Sequence, residues 1–217
     1  MVPVEHGERV RDAARSREAI LDAAERLFAE RGYEATRIQD VAAATGLSRE
    51  TPRYFFGSKD KLYEAVLERL FEQAGARLSS SYADAAAAAA GDLEQTLRRT
   101  IAGYVDFLHE HPAFVRLVQW ETLTGGRFLG GNAPHNQVVA GALREIEDEF
   151  GPAPVEERVQ LLLDIVALCW AAFTHGQTLL PALGLDPADP AFIERRKRHV
   201  ADLLLRGLGS TTSEEGT

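Results

Sequence analysis

The chain has 217 residues, of which 45% are hydrophobic and 26% are charged, an ordinary composition for a globular protein with a packed core. Its single cysteine excludes an internal disulfide and any site built from several cysteines. No apolar run approaches the ~20 residues of a membrane span. The charged first fifteen residues predict no signal peptide, so we expect a cytoplasmic protein.

The net charge of −9 is unevenly distributed along the chain. Residues 1–78 carry 13 Lys and Arg against 14 Asp and Glu, a net charge of −1, whereas residues 79–217 carry 11 against 19, a net charge of −8. Individual side chains make the contacts to nucleic-acid phosphates. The acidity of the C-terminal part therefore does not exclude DNA binding by the N-terminal part.

Beyond a charged arm predicted over residues 1–14, apolar residues recur at helical spacing, and glycines, prolines and capping residues separate the segments. No segment alternates with a period of two, so the predicted fold class is all-α. The alanine run over 85–90 favours helix but offers no apolar stripe to pack. The sequence predicts about nine helices, over 16–31, 36–45, 48–56, 58–78, 92–110, 112–124, 134–150, 154–180 and 190–207.

The second and third predicted helices are short and flank Gly46, which suits the tight turn of a helix-turn-helix. We expect Thr36 to cap the second helix and Ser48 the third. The third would present polar side chains to a DNA groove. Arginine reads guanine or clamps a phosphate, while hydroxyl groups mostly position a protein on the backbone.

The residues around this turn form a longer pattern in register, over about 46 residues. They are Arg17, Ile20, Leu21, Ala23, Ala24, Leu27, Phe28, Glu30, Gly32, Tyr33, Thr36, Val41, Ala42, Gly46, Leu47, Ser48, Phe56, Gly57, Ser58, Lys59, Asp60 and Leu62. In this pattern the chain resembles the TetR/AcrR family of bacterial transcriptional regulators.

The resemblance implies a DNA-binding domain over 14–74, with three helices and a helix-turn-helix at 37–56, and a regulatory and dimerisation domain over 75–217. It implies a homodimer on a near-palindromic DNA operator, commonly acting as a repressor. Carried over position by position, the residues expected to contact DNA are Arg37, Arg49, Thr51, Arg53, Tyr54 and Lys59.

Three residues depart from the family pattern. Pro52 stands where leucine is usual, at the fourth position of the predicted helix, and is expected to distort its start. Arg53 replaces a common tyrosine and would exchange a backbone contact for base reading. Glu50 would either accept a hydrogen bond from a cytosine amino group or support the helix N-terminus.

The helix predicted over 154–180 is apolar on nearly all sides between residues 161 and 173 and contains several small residues. We predict that this helix and the one over 190–207 form a four-helix bundle between two subunits. The alternative is that 154–180 is the central helix of a monomeric domain.

The resemblance also implies a ligand cavity among the C-terminal helices, and in this chain those helices supply aromatic and polar residues that suit a small, largely apolar effector. The candidates are Tyr104, Phe107, Trp120, His135, Trp170 and Phe173. Alternatively, these residues simply form the hydrophobic core. The protein would then be a helical binding protein or a regulator without a small-molecule effector. No phosphate loop, nucleophile elbow or spaced metal-ligand pattern occurs, so we expect no enzyme, cofactor or metal. The basic run over 195–198 is interpreted as a solvated helix face.

Overall fold

The computed structural model describes residues 4–152 and 154–211, and every regular element in those residues is a helix. The all-α prediction is thus confirmed. The ten helices are α1 (Val4–Ala35), α2 (Ile38–Thr45), α3 (Thr51–Phe56), α4 (Lys59–Ala89), α5 (Leu93–Glu110), α6 (Pro112–Leu123), α7 (Ala133–Phe150), α8 (Val155–Thr174), α9 (Leu179–Ala182) and α10 (Pro190–Thr211).

Several helix boundaries differ from the prediction, and the three largest differences concern long helices. Helix α1 begins at Val4, so the predicted arm is helical from that residue, in keeping with its alanine, glutamate and arginine content, and residues 1–3 lie outside the described residues. Helix α4 continues through the alanine run to Ala89, because Ala85 and Ala89, four residues apart, are both buried. The predicted helix over 154–180 is divided into α8 and the short α9.

The described chain folds into two compact units, and α4 and α6 each supply residues to both. The first unit, called the reading unit below, contains the described residues up to Phe71 together with Arg116–His135. Apolar side chains at helical spacing form its core: Ile20, Leu21, Ala24, Leu27 and Phe28 of α1, Val41 and Ala42 of α2, Leu62, Tyr63, Val66 and Leu67 of α4, and Leu117 of α6.

An ion-pair cluster joins α1 to α4 at the edge of this core. The guanidinium of Arg69 lies 3.2 Å from Glu18, 2.7 Å from Asp22 and 2.7 Å from Glu25. Arg69 is largely buried, whereas Glu18 and Asp22 are well exposed. One cation thus offsets the repulsion among three carboxylates and holds α4 along α1.

The second unit, called the regulatory unit below, contains Glu72–Val115 and the described residues from Asn136 to 211. Helix α5 packs against both α8 and α10. The buried face of α5 carries Leu97, Ile101, Val105 and Leu108, opposite Cys169 and Ala172 of α8 and Ile193, Val200, Ala201 and Leu204 of α10. Ion pairs of Arg98 with Asp202 and of Lys197 with Asp106, each 2.6 Å long, tie α5 to α10. Within the residues described, no helix is long and apolar enough to cross a membrane.

Candidate nucleic-acid interface

Helices α2 and α3 are joined by a tight turn in which Gly46 has a φ of 68°. This left-handed conformation ends α2 at little cost, because glycine has no Cβ to clash. The chain then makes a turn through Arg49 and Glu50 before α3 starts. The arrangement is that of a helix-turn-helix in which α2 braces the short α3.

The cap of α2 is not the residue that the sequence pattern indicated. Arg37 occupies the N-cap position, and its backbone N–H donates to the Asp40 carboxylate at 3.1 Å. Thr36 is instead fully buried, where its hydroxyl donates to the carbonyl oxygens of Gly32 at 2.9 Å and Leu27 at 3.2 Å. The prediction was wrong because a buried hydroxyl needs an acceptor, and the end of α1 supplies two.

Pro52 does not distort α3, contrary to expectation. The helix begins at Thr51 rather than near Ser48, so Pro52 lies in its first turn, where a helix has unpaired N–H groups in any case. Its ring is buried in the reading unit. The Ser48 hydroxyl lies 2.8 Å from that of Thr51 instead of capping a helix.

The exposed side of α3 carries Arg53 and Tyr54, and Tyr54 has 84% of its surface in solvent. Arg49 is exposed in the turn before the helix, and Arg37 is exposed at the start of α2. Thr51 is half-buried. An exposed guanidinium and an exposed phenol thus stand side by side on a helix braced by α2, and side chains of these types make contacts to DNA bases and phosphates, so this face is the candidate DNA-binding surface.

Lys59 opens α4 and already has intramolecular contacts. Its ammonium lies 4.1 Å from the centre of the Tyr33 ring and donates to the Glu34 carbonyl at 3.3 Å. Next to it, the Asp60 carboxylate accepts a hydrogen bond from the Tyr33 hydroxyl. Partial burial and that carboxylate raise the pKa of Tyr33 to about 12, so the phenol keeps its proton and donates.

The part of the reading unit that sequence reasoning missed is Arg116–His135, which follows the helix-turn-helix by some sixty residues. The indole N–H of Trp120 donates to the Ala29 carbonyl at 3.2 Å, and the Trp120 ring lies against Gly32. Glu121, 1% exposed, accepts from the backbone N–H of Phe128 at 2.9 Å. Leu117 and Glu121 lie four residues apart on α6 and share its buried face. A glutamate at the helical spacing of apolar residues was the sequence signal that this part of α6 packs in a core, because a buried carboxylate needs a hydrogen-bond partner there.

Phe128 completes an aromatic cluster with α1 and α4. Its ring centroid lies 5.0 Å from that of Tyr33 and 4.9 Å from that of Tyr63, which in turn packs edge-on against Phe28. Burial, with the negative charge of Glu121 nearby, raises the pKa of Tyr63 above its ordinary value. The segment Arg116–His135 is therefore packed into the same core as the helix-turn-helix.

The candidate effector residues fall into two groups. In the regulatory unit, the Trp170 indole donates to the Tyr104 hydroxyl, Phe114 contacts both Trp170 and Phe107, and Phe173 lies beside His109. In the reading unit, Trp120 packs on α1 and His135 packs edge-on against Phe71. The described residues contain no group of three or more His, Cys, Asp or Glu side chains placed to hold a metal ion.

Comparison with known proteins agrees with this geometry. Residues 20–66 match the family model described as bacterial regulatory proteins, tetR family. The HTH-type transcriptional repressor NicS of Pseudomonas putida is 32% identical over 219 residues, covering 93% of this chain and 96% of NicS. The HTH-type transcriptional regulator RutR of Escherichia coli is 24% identical, covering 93% of this chain and 94% of RutR.

Solved structures share the fold. A TetR family transcription regulator from Marinobacter aquaeolei has a TM-score of 0.64 at 19% identity, covering 90% of this chain and 97% of that one. A TetR-like transcriptional regulator from Rhodococcus has a TM-score of 0.63 at 20% identity, covering 89% of this chain and 96% of that one. With a full-length relative above 30% identity and a helix-turn-helix of the same register, the chain belongs to the tetR family of bacterial transcriptional regulators, which bind DNA.

Proposed function

We propose that the protein is a repressor that binds a near-palindromic operator as a homodimer and leaves it when a small molecule binds the regulatory unit. The observation that carries the DNA-binding part is the exposed face of α3, where Arg53 and Tyr54 project from a helix braced by α2. Repression is proposed by analogy with NicS, whose name describes a repressor.

The proposed contacts divide by chemistry. Arg53 lies on α3 itself and suits bidentate recognition of a guanine in the major groove, with Tyr54 beside it. Arg49 lies in the turn before α3 and Thr51 is the first residue of the helix, and both are proposed to enter the major groove with Arg53 and Tyr54. Arg37 at the start of α2 and Lys59 at the start of α4 suit backbone phosphates, since each adds a cation where helical N–H groups are unpaired.

Alanine at Arg53 and at Lys59 is expected to weaken operator binding in different ways. Arg53→Ala should cost ~1–3 kcal/mol and relax the preference at one base pair in each half-site. Lys59→Ala should weaken all sequences alike and flatten the dependence of affinity on salt. Fluorescence anisotropy with the duplex upstream of the protein's own gene, and with variants of each base pair, measures both.

Arg195→Ala serves as the matched control, because Arg195 is also an exposed arginine and lies in the basic run on α10. It should bind as the wild type does. Wild-type affinity and base preference in both Arg53→Ala and Lys59→Ala would show that the DNA-contacting face lies elsewhere.

The proposed dimer surface lies on α8 and α10. Of the twenty residues of α8, only Cys169 and Ala172 are buried in the single chain, although the helix is predominantly apolar. Leu163 is 55% exposed, and Leu203 of α10 is also exposed. A second copy would cover these side chains by packing the same two helices against them.

The proposed effector site is the aromatic group of the regulatory unit around Tyr104, Phe107, Trp170 and Phe173. Apolar walls with a few oriented polar groups are typical of small-molecule sites, and the Tyr104–Trp170 hydrogen bond supplies such a polar point. The acidity of this half of the chain favours a neutral or cationic ligand. Trp120 and His135 are left out of this site because both pack within the reading unit.

Binding of such a ligand would favour one arrangement of α5–α8 over another and so change the population that fits the operator. Helices α4 and α6 supply residues to both units and would carry that change to the reading unit. Trp120 also lies on α6, where it packs against α1.

An effective small aromatic ligand is expected to quench Trp170 fluorescence and to lower operator affinity roughly 10-fold, within the usual range of allosteric coupling. Since the chain has two tryptophans, Trp120→Phe leaves Trp170 as the reporter. Titrating that variant and the wild type with a panel of neutral and cationic aromatic compounds tests the proposal. A panel in which every compound leaves both signals unchanged would contradict it.

A further inference from the structure

A charged group surrounds Tyr33 at the start of α4, and one member comes from far along the chain. The Lys59 ammonium lies over the Tyr33 ring, and the Asp60 carboxylate accepts from the Tyr33 hydroxyl. The guanidinium of Arg127, from the segment after α6, lies 5.5 Å from the same ring centroid. Its Nη2 is 3.3 Å from Oδ2 of Asp60.

This ion pair is held by more than charge. The Arg127 guanidinium also lies 4.7 Å from the centre of the Phe128 ring, and Phe128 is packed against Tyr33 and Tyr63. Two aromatic faces and a carboxylate therefore orient Arg127 toward Asp60. The side chain keeps 57% of its surface in solvent, so its charge acts at the molecular surface.

The carboxylate of Asp60 presents an electrostatic problem for DNA binding. It follows Lys59 directly, at the helix start where a DNA phosphate is proposed to lie, and a bare carboxylate there would repel that phosphate. An arginine paired with Asp60 removes the repulsion while leaving the Lys59 charge available.

We propose that Arg127 is a positioning residue for DNA binding, which acts by neutralising Asp60 beside the phosphate site of Lys59. The inference rests on the proposed function of Lys59 as a phosphate contact. Arg127 acts through Asp60 and makes no direct bond to DNA. Any change that moves the segment Arg116–His135 relative to α4 would expose the Asp60 charge and weaken binding.

The test is a double-mutant cycle on a duplex that the wild-type protein selects from a random-sequence pool. R127Q should bind roughly 5-fold more weakly than the wild type, because the Asp60 carboxylate then has no cation paired with it to offset its negative charge near the phosphate. D60N should bind at least as tightly as the wild type, since asparagine still accepts the Tyr33 hydrogen bond. In the D60N background, R127Q should have no further effect beyond about twofold.

A direct arginine–phosphate bond would give the opposite pattern, with the loss at Arg127 undiminished when Asp60 is asparagine, and that result overturns the proposal. Wild-type binding by R127Q, or weaker binding by folded D60N, also overturns it. R127K loses the planar stacking of the guanidinium but keeps the positive charge beside Asp60, so on the proposed electrostatic role it should bind within about twofold of the wild type even if R127Q folds poorly. R116Q, an exposed arginine in the same segment, is the matched control.

The outcomes separate this inference from the proposed function. If the wild type selects no duplex, or if Lys59→Ala binds the selected duplex as tightly as the wild type does, the proposed DNA-binding face fails. If the wild type selects a duplex and Lys59→Ala weakens binding while the Arg127 and Asp60 variants behave independently, only the role of Arg127 fails.

Discussion

Leu163→Asp is expected to convert the dimer into monomers and to lower the affinity for a two-half-site operator by about 10²–10⁴-fold. Leu163 is 55% exposed on a helix that buries only two of its residues within the chain. In a two-fold dimer the substitution occurs twice, so two unpaired carboxylates would have to be buried for the subunits to associate. A monomer holds one half-site at a time and loses the gain from linked binding.

Light scattering at micromolar protein measures the change in mass, and anisotropy with one-half-site and two-half-site duplexes measures the loss of linked binding. Affinity for a single half-site should change little, which separates loss of the dimer from damage to the reading unit. Leu93→Asp is the control, because Leu93 is also an exposed leucine but opens α5, where an acid is tolerated. A wild-type mass for Leu163→Asp would contradict the proposed interface.

Gly32→Ala is expected to destabilise the reading unit by roughly 2–4 kcal/mol. Gly32 has φ 75° and ψ 174°, a conformation that is essentially confined to glycine. A Cβ at this position would also lie 3.1 Å from atoms of the Trp120 ring, which is tied to α1 by its bond to the Ala29 carbonyl. The added methyl group therefore meets a strained backbone and a ring that is held in place.

Alanine substitutions at two other glycines separate the cost of backbone strain from the cost of the contact with Trp120. Gly46→Ala carries a similar positive φ in open space, so it reports backbone strain alone and should cost about 1–2 kcal/mol. Gly131→Ala has open space and no positive φ, so it should stay within about 0.5 kcal/mol of the wild type. Urea unfolding of the three variants gives the order, and equal stability of Gly32→Ala and Gly131→Ala would contradict the account.

Local sequence signals predicted most of the helices and the helix-turn-helix itself. Helical spacing of apolar residues, the glycine at Gly46 and the register of the N-terminal pattern act over a few residues, so they can be seen without a structure. The family resemblance that they supported is confirmed by the relationship to NicS. The predicted DNA contacts and domain boundaries stay predictions.

Errors occurred where a local rule competed with packing. The start of α3 was predicted near Ser48 because serine is a good cap, but the turn after Gly46 runs through Glu50, and Pro52 is then harmless. Thr36 was predicted to cap α2 but is buried at the end of α1. In both places the tertiary arrangement of α1, α2 and α3 outweighed a capping preference of about 1 kcal/mol.

The helical class, the helix-turn-helix and the family were predictable without a structure, because the signals for each lie in residues close together in the chain. The packing of Trp120, Arg127 and Phe128 against α1 and α4 could be seen only in the tertiary structure. Trp120, for example, lies about ninety residues from Gly32 in the chain. No periodicity or local propensity in the sequence predicts such contacts, because they depend on which distant surfaces fit together once the helices have formed. The proposed role of Arg127 depends on such a contact, since Arg127 and Asp60 lie 67 residues apart in the chain.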